Sequence, residues 1–213
     1  MTAPVSSGSP PVVMVREGGQ VTLTLNRPER GNALGPDLVE ALLQHLTATQ
    51  QESQVHTVVL RGAGRHFCTG MDLSDLAQCS DGDLLHRIVR IEALLSALWH
   101  ASIRTVAVAQ GRAWGAGADL FASCERRIAA PDGSFRFPGV QFGIVLGTRR
   151  LSERIGAEAA RSIVLEGAEW DTPRALAIGL VQAQTEPPEG WGEPPVADAI
   201  TADQLRAWKA EHP

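Results

Sequence analysis

The chain has 213 residues, of which 44% are hydrophobic and 20% charged, and its net charge is −5. This composition fits one folded domain with a substantial core and excludes a nucleic-acid binder, because no basic face or tail is present. No apolar run approaches the ~20 residues of a bilayer span, and the N-terminus lacks a signal-peptide pattern. The three cysteines are not spaced as metal ligands are. We therefore expect a cytoplasmic protein without a metal site.

The N-terminal part begins with a Pro/Ser/Gly-rich stretch, residues 1–10, which we expect to be a disordered tail. A folded core is predicted over residues 11–184. Two strand-like runs, 12–15 and 21–25, flank a Gly-Gly pair and predict a hairpin. Apolar residues that recur at helical spacing after Pro36 predict the first helix.

The middle of the chain contains two strands that each lead into a glycine-rich stretch. A strand at 57–61 precedes one such stretch, and a long amphipathic helix is predicted over 81–101. A buried strand at 106–109 then leads into a small-residue turn, 114–118, and a further helix. A helix that follows such a turn directs its first unpaired N–H groups at whatever lies in front of them, although a tight connection with close packing has the same pattern.

The C-terminal part alternates short strands and short helices. Strands are predicted at 127–130, 134–142 and 180–181, and helices at 148–155, 157–165 and 173–179. Residues 185–213 are predicted to form a Pro/Gly-rich linker followed by a short C-terminal helix. Repeated strand-strand-helix units predict an α/β fold with layered sheets.

The two glycine-rich stretches, 66–73 and 111–119, form a pair of similar turns. If both turns face one pocket, two backbone N–H groups could converge on one oxygen, as the stabilisation of a thioester enolate requires. A phosphate-binding P-loop is excluded because the chain has no G-x-x-x-x-G-K-[S/T] pattern.

Four segments, taken together, resemble the crotonase superfamily, the enoyl-CoA hydratase/isomerase family, over about residues 12–184. They are Leu25-Asn26-Arg27-Pro28 with Asn32-Ala33-Leu34; Phe67-Cys68-Thr69-Gly70-Met71-Asp72-Leu73; Gln110-Gly111 with Gly115-Ala116-Gly117-Ala118-Asp119-Leu120; and Ala177-Ile178-Gly179-Leu180-Val181. The resemblance implies a crotonase-like spiral of ββα repeats with a helical C-terminal part, here truncated. It also implies a homotrimer or a dimer of trimers, and an acyl-CoA substrate with no cofactor beyond the coenzyme A of that substrate.

The resemblance also implies the site residues. The oxyanion-hole donors fall on the N–H groups of Met71 and Ala116. Considered without the family, Met71 suggests a packing residue and Ala116 suggests a residue at a helix start. The implied coenzyme A contacts are Arg27, Arg30, Cys68, Gly70 and Leu73, and the implied pocket residues are Gly115, Gly139 and Gln141. For the two arginines, a solvated loop position is an equally good interpretation.

The catalytic carboxylates follow the family only in part. The first acid falls on Asp119, whereas Gly139 stands at the position of the second, where naphthoate synthases of the family accommodate a bicarbonate. A helix N-terminus is expected to keep the pKa of Asp119 low and to favour a base or electrostatic role. Alternatively, Asp119 caps its helix or pairs with an arginine such as Arg126 or Arg127.

The sequence therefore predicts an acyl-CoA thioester enzyme that stabilises an enolate, namely a lyase, an isomerase or a decarboxylase. Two other classes remain open, because the second acid is missing. One is a noncatalytic acyl-CoA-binding pseudoenzyme, and the other is a structural subunit of a crotonase-like complex.

Overall fold

A computed structural model describes residues 9–185, and over these residues the chain forms nine strands and six α-helices. The predicted tail residues 1–8, together with residues 186–213 of the predicted linker and C-terminal helix, lie outside the described residues. Ser9 and Pro10, predicted to belong to the tail, accept hydrogen bonds from Arg27 and Asn26 through their carbonyl groups. These two residues are therefore held against the loop that follows the hairpin.

Most element boundaries are close to those predicted, but the strand predicted at 134–142 ends at Arg136, and Gly139–Phe142 form a 3-10 helix instead. The strands are β1 Val12–Glu17, β2 Gln20–Leu25, β3 Thr57–Gly62, β4 Arg104–Ala109, β5 Arg112–Trp114, β6 Arg126–Ala129, β7 Ser134–Arg136, β8 Trp170–Asp171 and β9 Ala183–Gln184. The helices are α1 Pro36–Gln50, α2 Asp81–Trp99, α3 Ala116–Ser123, α4 Thr148–Ile155, α5 Ala157–Glu166 and α6 Thr172–Ala177. Within residues 9–185, every helix is too short or too polar to span a bilayer.

The larger sheet has six strands in the order β1-β2-β3-β4-β6-β9. The predicted hairpin pairs β1 with β2 antiparallel, and every later pair in this sheet is parallel. Side chains alternate between the two faces of the strands, so Val58 and Leu60 join the main core while Val59 joins a smaller apolar cluster on the opposite face. Parallel strands buried on both faces explain the nearly continuous apolar runs in the sequence.

A smaller sheet, β5-β7-β8, forms the second layer. Two isolated parallel bridges extend this layer, from Cys68 to Ala113 and from Leu34 to Met71. Successive strand pairs therefore contribute one strand to each layer before the chain enters a helix, as the predicted spiral of ββα repeats requires. This arrangement confirms the predicted α/β class with layered sheets and brings the two glycine-rich stretches into one layer.

The prediction of a strand at 180–181 is wrong. The Leu180 carbonyl instead accepts a hydrogen bond from the Arg127 guanidinium at 2.8 Å, and pairing with β6 begins only at Ala183. Arg127 is buried and also donates to the carbonyls of Cys124 and Glu125. A single buried guanidinium therefore fixes this segment where a strand was expected.

Candidate functional site

The two glycine-rich turns lie side by side. A methyl group placed on Gly70 would lie 3.7 Å from the backbone nitrogen of Ala116 and 3.8 Å from the Cα atom of Gly115. Gly70 has φ +110° and Gly115 has φ +53°, a region of backbone conformation that side chains disfavour. The glycines therefore permit both the turn shapes and the close approach of the two segments.

The Met71 N–H group points toward the second turn. Leu34 donates its N–H to the Gly70 carbonyl at 2.7 Å and accepts from the Asp72 N–H at 3.2 Å. In a parallel bridge of this kind, the N–H of the residue in between, Met71, faces away from Leu34. On that other side of the segment lies β5, whose Trp114 donates to the Cys68 carbonyl at 3.0 Å.

The Ala116 N–H group opens helix α3. Gly115, the residue before the helix, donates its own N–H to the Arg136 carbonyl at 2.8 Å, and no side chain caps this helix end. Within residues 9–185, neither the Met71 nor the Ala116 N–H donates to another protein atom. The structure thus places two unpaired backbone donors on adjacent turns, one of them at a helix N-terminus.

Asp119 lies one helical turn after Ala116 on α3 and is partly buried. Its carboxylate packs against the backbone of Gly147, so closely that any side chain at position 147 would overlap it. The cap alternative is wrong, because α3 has no side-chain cap. Arg127, one of the two suggested ion-pair partners, instead donates hydrogen bonds to backbone carbonyls.

The expectation that Asp119 has a low pKa is also wrong. Burial raises the pKa of the Asp119 carboxyl group from 3.8 to about 7, Arg150 opposes this rise, and Glu92 adds to it. The cost of desolvating a charged carboxylate therefore outweighs the helix dipole on which the expectation rested. Near neutral pH, both the protonated and the ionised forms of Asp119 are populated.

Gly139 lies at the start of a 3-10 helix, Gly139–Phe142. A side chain at position 139 would collide with the Ile144 carbonyl oxygen. The N–H group of Ile144 donates to the Gly139 carbonyl at 2.9 Å. A side chain at position 139 would therefore overlap the backbone of the segment that follows. Gln141 is exposed, and its side-chain amide packs against Gly167 at the end of α5.

The two predicted phosphate-binding arginines both pair with carboxylates. Arg27 lies 3.1 Å from Asp37, and Arg30 lies 3.2 Å from Asp72, directly after Met71. The Arg30 side chain is 58% exposed. Partial burial acts to raise the pKa of Asp72, but hydrogen bonds from Ser74 and Arg30 hold that pKa below its usual range. Arg30 therefore lies at the rim of the first turn with its guanidinium open to solvent.

Two further predicted coenzyme A contacts differ in accessibility. Leu73 is 49% exposed beside the first turn. Cys68 is 0% exposed, its backbone N–H and carbonyl pair with β5, and burial raises the pKa of its thiol to about 12. The Cys68 side chain therefore packs in the core, and its coenzyme A contact stays a prediction.

Three residues that sequence reasoning did not assign to the site lie around Asp119: Glu92 on α2, Gly147 before α4, and Arg150 on α4. Arg150 donates to both Glu92 carboxylate oxygens, at 3.0 and 2.5 Å. Gly147 and Arg150 lie at the start of α4, a helix that the sequence predicts without giving it a role in the site. Glu92 is an ordinary charged residue on an amphipathic helix and has no sequence signal of its own.

The comparisons with known proteins agree with this architecture. The family described as "Enoyl-CoA hydratase/isomerase" matches residues 16–187. A solved enoyl-CoA hydratase/isomerase structure from Bordetella parapertussis is 39% identical with a TM-score of 0.83, and the match covers 95% of this chain and 78% of that one. A monofunctional enoyl CoA isomerase from M. smegmatis is 31% identical with a TM-score of 0.70, covering 84% and 78%.

A relative from Mycobacterium leprae, an enoyl-CoA hydratase by name, is 33% identical over 168 residues, which are 76% of this chain and 66% of that protein. The chain thus spans about two thirds of the length of the curated relatives it matches. The family match over residues 16–187 includes the two adjacent turns and α3. The chain belongs to the enoyl-CoA hydratase/isomerase family of the crotonase superfamily.

Proposed function

We propose that this protein is an acyl-CoA thioester enzyme in which the N–H groups of Met71 and Ala116 hold the thioester oxygen as it becomes an enolate. The adjacency of the two turns and the absence of another acceptor for either N–H among the described residues support this role. Donors fixed by the backbone need no rearrangement when charge develops on the oxygen. The N-terminus of α3 adds a favourable dipole at the same point.

Asp119 is proposed to move the proton, because it lies one helical turn after Ala116 on α3 and burial raises its pKa to about 7. A carboxyl group with this pKa both accepts and donates protons at neutral pH. In a 3-enoyl thioester it would remove a proton from Cα, forming the enolate, and return the proton at Cγ to give the 2-enoyl thioester. One carboxyl group suffices for this isomerisation, and no atom is gained or lost.

Hydration is less well supported than isomerisation. It adds water across the double bond and needs a second group to position and deprotonate that water. Gly139 supplies no such group, and the Ile144 carbonyl fills the space beside it. The M. smegmatis relative is named a monofunctional isomerase, which agrees with a reaction that uses one proton-transferring group.

A panel of coenzyme A esters tests the reaction. Purified protein is incubated with a 3-enoyl-CoA, crotonyl-CoA and methylmalonyl-CoA, and products are separated and identified by mass spectrometry. We expect conversion of the 3-enoyl ester to the 2-enoyl ester without a change in mass. Addition of water to crotonyl-CoA would contradict the single-carboxyl mechanism, and loss of carbon dioxide from methylmalonyl-CoA would identify a decarboxylase.

A noncatalytic acyl-CoA binder is the second candidate, and the occupied space at Gly139 favours it. Binding of every ester without turnover would support this candidate and contradict the isomerase. A trimeric assembly and a role as a subunit of a larger complex stay predictions, which size-exclusion chromatography with light scattering would check.

Replacing Arg30 with Gln is expected to raise the KM for acyl-CoA about three- to tenfold with little change in kcat. Its exposed guanidinium beside the Met71 turn can contact a coenzyme A phosphate, and one such contact contributes about 1 kcal/mol. Arg16→Gln is the matched control, because Arg16, on the edge strand β1, is a half-exposed arginine that pairs with Glu52. An equal rise in KM for both variants would contradict a specific contact.

A further inference from the structure

Charged side chains from three helices lie near one another beside the proposed site: Glu92 of α2 pairs with Arg150 of α4, and both act electrostatically on Asp119 of α3. The Arg150 guanidinium binds both oxygens of the Glu92 carboxylate, and its side chain is only 13% exposed. Such a two-point contact fixes the plane and position of the guanidinium. The pair is therefore a rigid feature of the packing between α2 and α4.

Asp119 lies near the Glu92–Arg150 pair but forms no bond with it. Its carboxylate packs on Gly147, three residues before Arg150 and directly before the first turn of α4. Among the described residues, no hydrogen bond or ion pair to the Asp119 carboxylate is found. Arg150 and Glu92 are the two charged groups that influence its titration.

Other charged groups on the elements that pack against α3 have partners of their own. On α2, Arg87 pairs with Asp75 and Arg90 pairs with Glu40. On α4, Arg154 donates to the carbonyls of Ala122 and Cys124 at the C-terminal end of α3. Arg149, also in the first turn of α4, is exposed and pairs with Glu153. Arg112 of β5 stacks on the Trp114 ring at 4.3 Å, and the Arg104 side chain of β4 lies 3.8 Å from Glu125. α3 itself carries no second charged residue. Among the charged groups of residues 9–185, Arg150 and Glu92 are therefore the two that act on the Asp119 carboxyl group.

We propose that Glu92 and Arg150 are positioning residues that keep Asp119 able to exchange its proton. Glu92 holds the Arg150 guanidinium near Asp119 but prevents it from forming a direct ion pair with that carboxylate. A direct pair would keep Asp119 permanently ionised, whereas without any nearby cation burial alone would keep it protonated. This inference rests on the proposed function, in which Asp119 transfers the substrate proton.

The test measures the titration of Asp119 directly. Protein labelled with ¹³C at the aspartate carboxyl carbon is titrated by NMR, and Asp119→Asn assigns the signal by its loss. We expect Glu92→Gln to lower the midpoint by at least about one pH unit, because the released guanidinium can turn to Asp119. Arg150→Met is expected to raise the midpoint by a similar amount, because it removes the cation that lowers the pKa of Asp119.

The chain offers a matched control in a second arginine–glutamate pair. Arg90 donates to both oxygens of Glu40, at 2.6 and 2.8 Å, and joins α2 to α1 in the same manner. Arg90→Met and Glu40→Gln are expected to leave the Asp119 midpoint unchanged. Circular dichroism establishes that each variant is folded, and if Arg150→Met does not fold, the downward shift in Glu92→Gln decides the question.

Two outcomes separate this inference from the proposed function. If no coenzyme A ester is turned over but the two midpoints move in opposite directions, the positioning role is established and the isomerase proposal fails. If turnover is found but both midpoints equal that of the wild type, the positioning role is overturned. If turnover is found and the two midpoints shift as expected, the pH profile of kcat/KM shifts to lower pH in Glu92→Gln and to higher pH in Arg150→Met.

Discussion

Replacing Ala116 with proline is expected to lower kcat/KM for the isomerisation about 100- to 1,000-fold. Proline lacks the N–H group that is proposed to hold the enolate oxygen, and loss of one such donor has an effect of this size. Ala116 is the first residue of α3, a position at which proline fits the helix geometry and interrupts no intrahelical hydrogen bond. The variant should therefore fold normally and bind the ester nearly as well as the wild type.

The control for this variant is Ala157→Pro. Ala157 is likewise an alanine that follows a glycine and opens a helix, α5, but it is exposed and belongs to no part of the site. Both variants are assayed for steady-state kinetics, for ester binding by calorimetry and for thermal unfolding. Retention of more than about a third of the activity in a folded Ala116→Pro protein would rule out this N–H as an oxyanion donor.

Asp119→Asn is expected to lower kcat about 100- to 10,000-fold, the usual contribution of a positioned acid or base. The same substitution should make the protein more stable at pH 8. The folded state retains the Asp119 proton up to about pH 7, whereas the unfolded chain loses it near pH 4. Wild-type stability therefore falls as the pH rises through this window, and above it the carboxylate is buried in its charged form.

The expected gain from Asp119→Asn is about 1–3 kcal/mol at pH 8, and it should vanish below pH 4, where the carboxyl group is neutral in both states. Urea unfolding of both proteins at pH 4 and pH 8 measures it. Asp132→Asn, on the exposed turn before β7, is the control and should leave stability and activity unchanged. A lost kcat without any pH-dependent gain in stability would contradict the burial argument.

Local patterns in the sequence predict most of the fold. The Gly-Gly pair between two β-rich runs specifies the β1–β2 hairpin, and apolar spacing specifies α1 and α2, because these signals act within a few residues. The strand predicted at 180–181 fails for the opposite reason. A two-residue strand is determined by its partner β6 and by the buried Arg127, and neither can be recognised from neighbouring residues.

The site is predictable where it consists of backbone and less so where it depends on packing. Two glycine-rich turns that follow parallel strands indicate adjacent N–H groups, and the structure brings these turns together. The environment of Asp119 could not be derived in this way. Glu92 and Arg150 lie 58 residues apart, and the raised pKa of Asp119 depends on how α2 and α4 enclose α3.

The Ile144 carbonyl beside Gly139 has a consequence for the evolution of this site. A single codon change from glycine to glutamate would not restore the second acid, because the first side-chain carbon would overlap that carbonyl oxygen. The backbone of the segment 139–147 would have to shift before a longer side chain became acceptable at position 139. A second acid therefore cannot be introduced here by one substitution alone, and a variant that restores it needs a compensating change in the same loop.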